Sequence, residues 1–164
     1  MTTGHPKSPL TASPVLPGRA ATNAWSLDPA EAAQAAAAIR RLLAAYNDAL
    51  NGGETADVLQ LYAEDGVFMP PSMQSAVGKA AVAKAYDLVF RELQFQVKFD
   101  VVELVVMAPG WAYARTNSAG TTGHQSTGKT TAEANQELFI FRKGDGGTWQ
   151  IARYSFSPTN PPAG

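Results

Sequence analysis

Several polar side chains fall on faces of predicted helices and strands that are otherwise apolar. They are Tyr46, Tyr113, Arg115, Asn117, Asn135, Glu137 and Arg153. Alternate residues of a strand share a face, so Glu137 lies with Asn135 and Phe139. The same alternation places Arg153 with Ile151. Because a charge that faces inward must be paired or neutralised, we expect these groups to meet in one polar site.

Glu137 has two interpretations. It could pair with Arg153 across a predicted hairpin, as a structural ion pair of little net energy. Alternatively, it lies unpaired in an apolar cavity, where desolvation raises its pKa and the protonated group donates a hydrogen bond. Tyr46 also has two interpretations, a site residue or a core residue. A tyrosine on an apolar helix stripe is commonly a core residue whose hydroxyl is bonded to the backbone.

The other candidates can be structural or functional. Met69, Met73 and Phe90 could line a ligand cavity, although apolar residues at such spacings usually belong to the core. Arg115, Asn117 and Asn135 could equally face solvent or a second subunit, since Ala112 and Ala114 would serve equally as the buried face. The candidate ligand-binding residues are Met69, Phe90, Tyr113, Arg115, Asn117, Asn135, Phe139 and Arg153.

A phosphate-binding pattern occurs in residues 123–130, GHQSTGKT. Nucleotide binding by this pattern needs a strand before the loop, a helix after it and a parallel sheet. The 34 residues after Thr130 predict a β-hairpin instead. We therefore interpret the match as a chance occurrence in a polar loop.

Composition excludes several classes of protein. Lysine plus arginine (13) nearly balance aspartate plus glutamate (14), so the charge pattern favours neither nucleic acid nor a membrane surface as a partner. The sequence has no cysteine, and His5 and His124 lack partners at metal-ligand spacing, so no metal site is predicted. No dinucleotide fingerprint follows a predicted strand, so no cofactor is assigned. A cytoplasmic protein is the default.

Helices occupy the first part of the domain. Residues 1–27 are rich in Pro, Ser, Thr and Gly, which predicts a flexible tail. Asp28 begins a long amphipathic helix that ends at the glycine pair 52–53. Helical spacing of apolar residues predicts two further helices over 55–62 and 79–93.

Strands follow. They are expected at 67–69, 94–106, 111–121, 134–143 and 148–157. Within the second of them the apolar phase flips at Val102, which predicts a bulge and a bend. We therefore predict one α+β domain over 28–160, with three N-terminal helices packed on a strongly curved, mainly antiparallel sheet that encloses a pocket.

Four segments resemble the nuclear-transport-factor-2-like superfamily, especially its SnoaL-like and ketosteroid-isomerase-like branch of small bacterial proteins. They are YNDALNGG at 46–53, LYAEDGVF at 61–68, GKAAV at 78–82 and GTWQIAR at 147–153. The hairpin segments 135–139 and 153–156 resemble the subgroup labelled SgcJ/EcaC-type. The resemblance implies a cone-shaped fold with a pocket, and this scaffold carries isomerases, cyclases, dehydratases and non-enzymatic binders.

The resemblance also implies catalytic roles. The tyrosine that bonds the substrate oxygen in ketosteroid isomerases falls on Tyr46, and its partner carboxylic acid falls on Glu137. Together they would stabilise a developing enolate. The family's proton-abstracting aspartate falls on Pro70, which carries no titratable group, so the usual steroid isomerisation is not expected. Asp65, nearby, is explained more simply as a turn residue.

Three functions fit these observations. The first is an isomerase, cyclase or related enzyme that acts on an apolar, polyketide- or steroid-like carbonyl compound. The second is a non-catalytic module that binds a small apolar ligand, and the third is a homodimeric interaction module. For a homodimer, Tyr154 and Phe156 are expected on the outer face of the sheet if Ile151 points inward.

Overall fold

The computed structural model describes residues 27–160, so the predicted tail lies outside them apart from Leu27. The helices are α1 (Pro29–Gly52), α2 (Thr55–Leu61) and α3 (Lys79–Glu92). The strands are β1 (Tyr62–Met69), β2 (Ala76–Val77), β3 (Leu93–Ala108), β4 (Trp111–His124), β5 (Thr130–Lys143) and β6 (Trp149–Pro158). The three predicted helices are confirmed, whereas β1 begins five residues before the expected 67–69 strand.

Local sequence fixes both ends of α1. The Asp28 side chain accepts a hydrogen bond from the Ala30 amide at 3.0 Å, and Pro29 occupies the first turn. At the other end Gly53 takes a left-handed conformation with φ +73°, which closes the last turn. The apolar face of this amphipathic helix is buried, and it consists of Ile39, Leu42, Leu43, Tyr46 and Leu50.

All six strands form one curled, open sheet in the order β2-β1-β6-β5-β4-β3. Neighbouring strands are antiparallel except for β1 and β6, which are parallel. Helix α1 packs on β3 and β6, and α3 packs on β1. The predicted α+β class, with helices on one face of a mainly antiparallel sheet, is confirmed.

Two asparagines of α1 cover the free edge of β3. The Asn51 side chain both donates to the Val97 carbonyl and accepts from the Val97 amide, at 2.8 and 2.9 Å. Asn47 donates to the same carbonyl and accepts from the Phe99 amide, at 2.8 and 3.0 Å. Because an uncovered edge strand would expose these backbone groups for pairing, the asparagines both close the edge and hold α1 over the sheet.

Two bulges set the side-chain parity of the sheet. Val101 pairs with Thr116 and Glu103 with Arg115, so Val102 is the extra residue, as predicted. A second bulge lies in β6. There Ile151 and Arg153 pair with consecutive residues of β5, which leaves Ala152 as the extra residue.

The second bulge overturns part of the expected register. It reverses parity after Ile151, so Arg153 faces outward and Tyr154 faces inward. Tyr154 is 4% exposed and Phe156 packs against the core, so the predicted outer dimer face at these two residues is wrong.

The phosphate-binding pattern lies in the turn between β4 and β5. Gly123 pairs with Thr130, and the His124 amide donates to the Lys129 carbonyl at 2.8 Å. A strand follows the loop where nucleotide binding would need a helix, which confirms the structural interpretation. Within residues 27–160, no helix is long and apolar enough to cross a membrane.

Candidate functional site

A cavity of about 230 Å³ lies between the helices and the concave face of the sheet. Its wall is mostly apolar and aromatic. The lining residues are Tyr46, Leu50, Phe68, Pro70, Pro71, Met73, Tyr86, Val89, Leu93, Phe95, Val97, Phe99, Ser118, Glu133, Asn135, Tyr154 and Phe156. Pockets for drug-sized ligands hold roughly 300 to 1,000 Å³, so this cavity suits a compact molecule.

Three tyrosine hydroxyls form a chain at the wall of the cavity. The Tyr46 and Tyr86 hydroxyl oxygens are 2.7 Å apart, and those of Tyr86 and Tyr62 are 3.1 Å apart. All three residues are at most 1% exposed. Burial is the largest cause that raises the pKa of each phenol. The phenols therefore stay neutral and act as hydrogen-bond donors over the physiological pH range.

Aromatic packing holds these hydroxyls in place. Tyr154 stacks on Phe139 with ring centroids 4.2 Å apart, and on Phe68 at 5.6 Å. Tyr46 meets Phe139 edge to face at 5.4 Å. Since the rings leave little free space, Tyr46 has one orientation available relative to the cavity.

Glu137 is buried beside the cavity and accepts hydrogen bonds from two hydroxyls of β4. Ser118 donates to one carboxyl oxygen at 2.5 Å, and Thr116 donates to the other. Burial raises the pKa of Glu137 to about 7, although both hydrogen bonds lower it. None of the ion pairs among residues 27–160 includes Glu137. The proposed pairing with Arg153 is therefore wrong, and Glu137 changes protonation state near neutral pH.

Further polar side chains extend from Glu137 along the inner face of β4 and β5. Asn135 donates to Ser118 at 3.4 Å and to Glu133 at 2.8 Å. Thr122 donates to the other oxygen of Glu133 at 3.0 Å. We call Thr116, Glu137, Ser118, Asn135, Glu133 and Thr122 the polar strip. Apart from the aromatic residues, the buried polar side chains within residues 27–160 all belong to it.

The polar strip leaves one side-chain atom without a partner. Asn135 Oδ1 is buried and accepts no hydrogen bond. The adjacent Glu133 carboxylate fixes the orientation of the amide, because turning it would bring two oxygens together.

Some predicted site residues meet at this cavity. Tyr46 and Asn135 line it. Glu137 and Phe139 lie directly behind lining residues, since Glu137 bonds to Ser118 and Phe139 stacks on a tyrosine of the wall. Their binding and catalytic roles remain predictions.

Two predicted apolar residues do not line the cavity. Phe90 packs against Tyr86 and Phe95, with ring centroids 5.6 and 6.5 Å apart, and so supports the wall from behind. Met69 is half-buried and pairs with Ser155 in the register of β1 and β6. Both residues are structural neighbours of the cavity.

Other predicted residues lie on the opposite face of the sheet. Tyr113 and Arg115 both donate to Glu103, at 3.1 and 2.7 Å, and Asn117 is exposed. They face outward because the alanines of β4 take the inner positions. Arg153 donates to main-chain oxygens of Asp65 and Ala152 at 3.2 and 2.6 Å. Tyr113 and Arg153 do not meet Glu137. Arg115 and Asn117 line a second pocket of about 270 Å³ together with Thr116 and Glu137, but Arg115 forms its ion pair with Glu103 and not with Glu137.

The position of the family's base lies at the cavity but is chemically inert. Pro70 is a lining residue, as the resemblance placed it. Asp65 is exposed and accepts two hydrogen bonds from Arg142, at 2.5 and 3.0 Å, and these hold its pKa below the usual range. Asp65 is therefore a structural partner of Arg142.

Sequence reasoning missed several cavity residues. Tyr62, Tyr86 and Tyr154 carry the hydroxyls around Tyr46, and Ser118 and Glu133 complete the polar strip. Tyr86 lay on a predicted apolar helix stripe, so the signal was present. Ser118 shares strand parity with the inward alanines, which was recognisable only once the parity of β4 was fixed.

Comparison with solved structures places this fold among those described as ketosteroid-isomerase-like or cystatin-like. One similar structure is a ketosteroid isomerase-like protein from Erwinia carotovora atroseptica, with 37% identity, 77% of this chain and 97% of that chain covered, and a TM-score of 0.74. Another is ActVI-ORFA from Streptomyces coelicolor, with 18% identity, 75% and 96% coverage, and a TM-score of 0.63. A hexachlorocyclohexane dehydrochlorinase (LinA) type 2 has 11% identity, 80% and 91% coverage, and a TM-score of 0.69. The last two are similar in fold alone.

Residues 28–154 match the SnoaL-like domain family. The chain therefore belongs to that family, within the nuclear-transport-factor-2-like superfamily. A search of curated proteins found no match.

Proposed function

We propose that this protein binds a compact, largely apolar carbonyl compound in the cavity and stabilises negative charge on its oxygen. The observation that carries the proposal is the hydroxyl chain that ends at Tyr46 on the cavity wall. When Tyr62 donates to Tyr86 and Tyr86 donates to Tyr46, each bond polarises the next, which makes Tyr46 a stronger donor. The mostly apolar lining adds to its strength, because a hydrogen bond is stronger in surroundings of low polarity.

Glu137 is the second group in this proposal. With a pKa of about 7, it is partly protonated at neutral pH and can act as a hydrogen-bond donor. A neutral donor on the cavity wall, with a protonated acid hydrogen-bonded directly behind that wall, suits an enolate-like oxygen, as in an isomerase or cyclase of polyketide-like compounds. The cavity volume favours a ligand of one or two rings over a four-ring steroid.

Catalysis would also need a group that takes a proton from the carbon next to the carbonyl. Glu133 is the acidic residue of the lining and is the candidate for that role. In this step the carbon–hydrogen bond breaks, its electrons form the carbon–carbon double bond of the enolate, and the proton goes to Glu133. A non-catalytic ligand-binding module is the alternative, favoured by the proline at the family's base position.

Deuterium exchange distinguishes the enzyme from the binder. The protein is incubated with the bicyclic ketone 1-tetralone in D₂O, and loss of the proton signal next to the carbonyl is followed by NMR. An enzyme accelerates this exchange over buffer, and Glu133→Gln removes the acceleration. Saturable binding without exchange would instead establish the binder, and no binding would contradict the proposed function.

Tyr46→Phe tests the hydroxyl chain. We expect it to slow exchange, or weaken ketone binding, by about ten- to a hundredfold, because the donor is lost. Binding of the parent hydrocarbon tetralin should stay within about twofold. Tyr62→Phe, at the far end of the chain, is the matched control and should have a much smaller effect. Equal effects of both variants would contradict a direct role for Tyr46.

A homodimer remains part of the proposal, with an interface different from the one expected from sequence. Val105, Tyr113 and Ile140 are in register across β3, β4 and β5 on the outer face, and exposed Trp111 and Leu138 lie beside them. The ion pairs Glu103–Arg115 and Asp65–Arg142 lie on the same face. An apolar centre with charged neighbours is the usual anatomy of an interface between subunits.

Light scattering tests this interface. Trp111→Glu with Leu138→Glu should halve the mass, because two charges would be buried without partners. Leu88→Glu is the matched control, since Leu88 is an exposed apolar residue of α3. A monomeric wild-type protein, or a double variant of unchanged mass, would contradict the interface. The predicted cytoplasmic location stays a prediction.

A further inference from the structure

Ser118 stands between Glu137 and the cavity. Ser118 lines the cavity wall, whereas Glu137 does not, and the two are joined by a 2.5 Å hydrogen bond. The other carboxyl oxygen of Glu137 is covered by Thr116, which is 1% exposed and lies away from the cavity. A ligand in the cavity would therefore meet the Ser118 hydroxyl before it met the carboxyl group.

The direction of the Ser118 hydroxyl depends on the charge of Glu137. An ionised carboxylate only accepts hydrogen bonds, so both hydroxyls of β4 must donate to it. The Ser118 hydrogen is then used, and its oxygen can only accept from the ligand. A protonated Glu137 can donate to the Ser118 oxygen, which frees the serine hydrogen to point into the cavity.

A protonated Glu137 could donate its hydrogen to Ser118 or to Thr116, and the burial of Thr116 favours Ser118. If Glu137 donated to Thr116 instead, the threonine hydrogen would have to leave the carboxyl group, which is its side-chain partner, although Thr116 is itself only 1% exposed. A buried donor without a partner costs about 1 to 3 kcal/mol. Ser118 incurs no such cost when a ligand carbonyl is present, because the carbonyl accepts its hydrogen.

We propose that Ser118 is the ligand-contacting group through which Glu137 selects the ligand. With Glu137 protonated, the serine hydroxyl donates to a ligand carbonyl. With Glu137 ionised, the serine oxygen accepts from a ligand hydroxyl. Glu137 is then a positioning residue that acts through Ser118, an arrangement that we call the relay. This proposal rests on the proposed function of the cavity.

Near neutral pH, the change of charge that reverses the Ser118 hydroxyl is assigned to Glu137 and not to the groups around it. Tyr46 of α1 and Tyr154 of β6 lie near enough for the charge of Glu137 to raise the pKa of each phenol, and burial, the larger cause, keeps both neutral. On its own strand the nearest acid of the polar strip is Glu133, which is bonded to Asn135 and Thr122. The pKa of Glu137, about 7, lies where a moderate change of pH alters its charge.

Three compounds with one bicyclic skeleton test the proposal. Tetralin has no polar group, 1-tetralone has an acceptor, and 5,6,7,8-tetrahydro-2-naphthol has a hydroxyl that can donate. Their affinities for the full chain are measured by calorimetry at about pH 5.5 and about pH 8.5, on either side of the Glu137 pKa. We expect the ketone to bind about five- to tenfold more tightly than tetralin at the lower pH, and the preference to pass to the phenol at the higher pH.

The Ser118→Ala variant should abolish the change of preference and leave tetralin affinity within about twofold. The infrared carbonyl band of bound 1-tetralone should shift to higher frequency in this variant at low pH, because its hydrogen bond is lost. Ser118→Thr keeps the hydroxyl and should restore both signals. Thr116→Val is the matched control: it should keep the preference but move its midpoint to higher pH, because the Thr116 hydrogen bond lowers the Glu137 pKa.

Each contrary result has its own meaning. An unchanged preference in Ser118→Ala, together with its loss in Glu137→Gln, would overturn the relay while keeping Glu137 as a direct contact. A preference that is the same at both pH values would also overturn the relay. Absence of saturable binding for all three compounds would contradict the proposed function itself, and the relay with it.

Discussion

The inner and outer faces of β4 and β5 carry opposite patterns. The inner face buries the polar strip, including Glu137 at 5% exposure, among aromatic rings. The outer face leaves apolar side chains in solvent, with Trp111 at 41% and Leu138 at 44% exposure. A sheet that served stability alone would bury its apolar residues and expose its polar ones. The proposed ligand cavity lies on the inner face, and the proposed interface between subunits lies on the outer face.

Two neighbouring residues of β5 show the same contrast between the inner and outer faces. Phe139 is fully buried on the inner face, and Leu138 is exposed on the outer face. We expect Phe139→Ala to lower the free energy of unfolding by about 3 to 5 kcal/mol, because it opens a cavity beneath Tyr154. Leu138→Ala should change it by less than about 0.5 kcal/mol in the monomer. Urea denaturation of both variants checks the difference, and comparable losses would contradict the assignment of faces.

Glu137 should make stability depend on pH. Its folded pKa of about 7 lies above the unfolded value near 4.3, so the folded state holds an extra proton between these values. The free energy of unfolding should then fall as pH rises from about 4.5 to about 7.5, by on the order of 2 kcal/mol. Glu137→Gln is expected to flatten this decline. A wild-type protein whose stability rose over that interval would show that Glu137 is stabilised as a carboxylate.

A smaller effect is expected at the far end of the polar strip. Thr122 is buried and donates to Glu133 at 3.0 Å. Replacement by valine keeps the shape but removes the donor, so Thr122→Val should cost about 1 to 2 kcal/mol in urea denaturation. Thr121→Val, at an exposed neighbouring position of β4, is the control and should cost little. If Thr122→Val were neutral or stabilising, the polar strip would not contribute to folding.

Much of the fold was predictable because its signals are local. The residue types of Asp28 and Gly53 are sufficient to predict where α1 begins and ends. The bulge at Val102 was predicted from the change of phase in the apolar alternation of β3. The second bulge was not visible. Ala152 is small and apolar, and it interrupts no alternation of apolar residues, so the parity of Arg153 and Tyr154 was assigned to the wrong faces.

The site was predictable only in part, because it depends on pairing between strands. Tyr46 and Glu137 came from a helix stripe, a strand pattern and a family resemblance, and they do lie near one another. Ser118 and Thr116 can be recognised as site residues only from the register of β4 and β5, which places them beside Glu137. No spacing within one strand contains that information, since the register joins residues about 20 positions apart.

Glu137 is a buried carboxyl group that has no cationic partner among residues 27–160, and its pKa lies near neutral pH. Carbon-13 NMR of labelled protein measures its pKa directly, with Glu137→Gln as the assignment control. We expect a value of about 7, set by burial against the two hydroxyls that bond to it. A value at or below the ordinary one of about 4.3 would contradict the proposed role of a protonated Glu137. It would mean that a cation or stronger donors hold the group as a carboxylate.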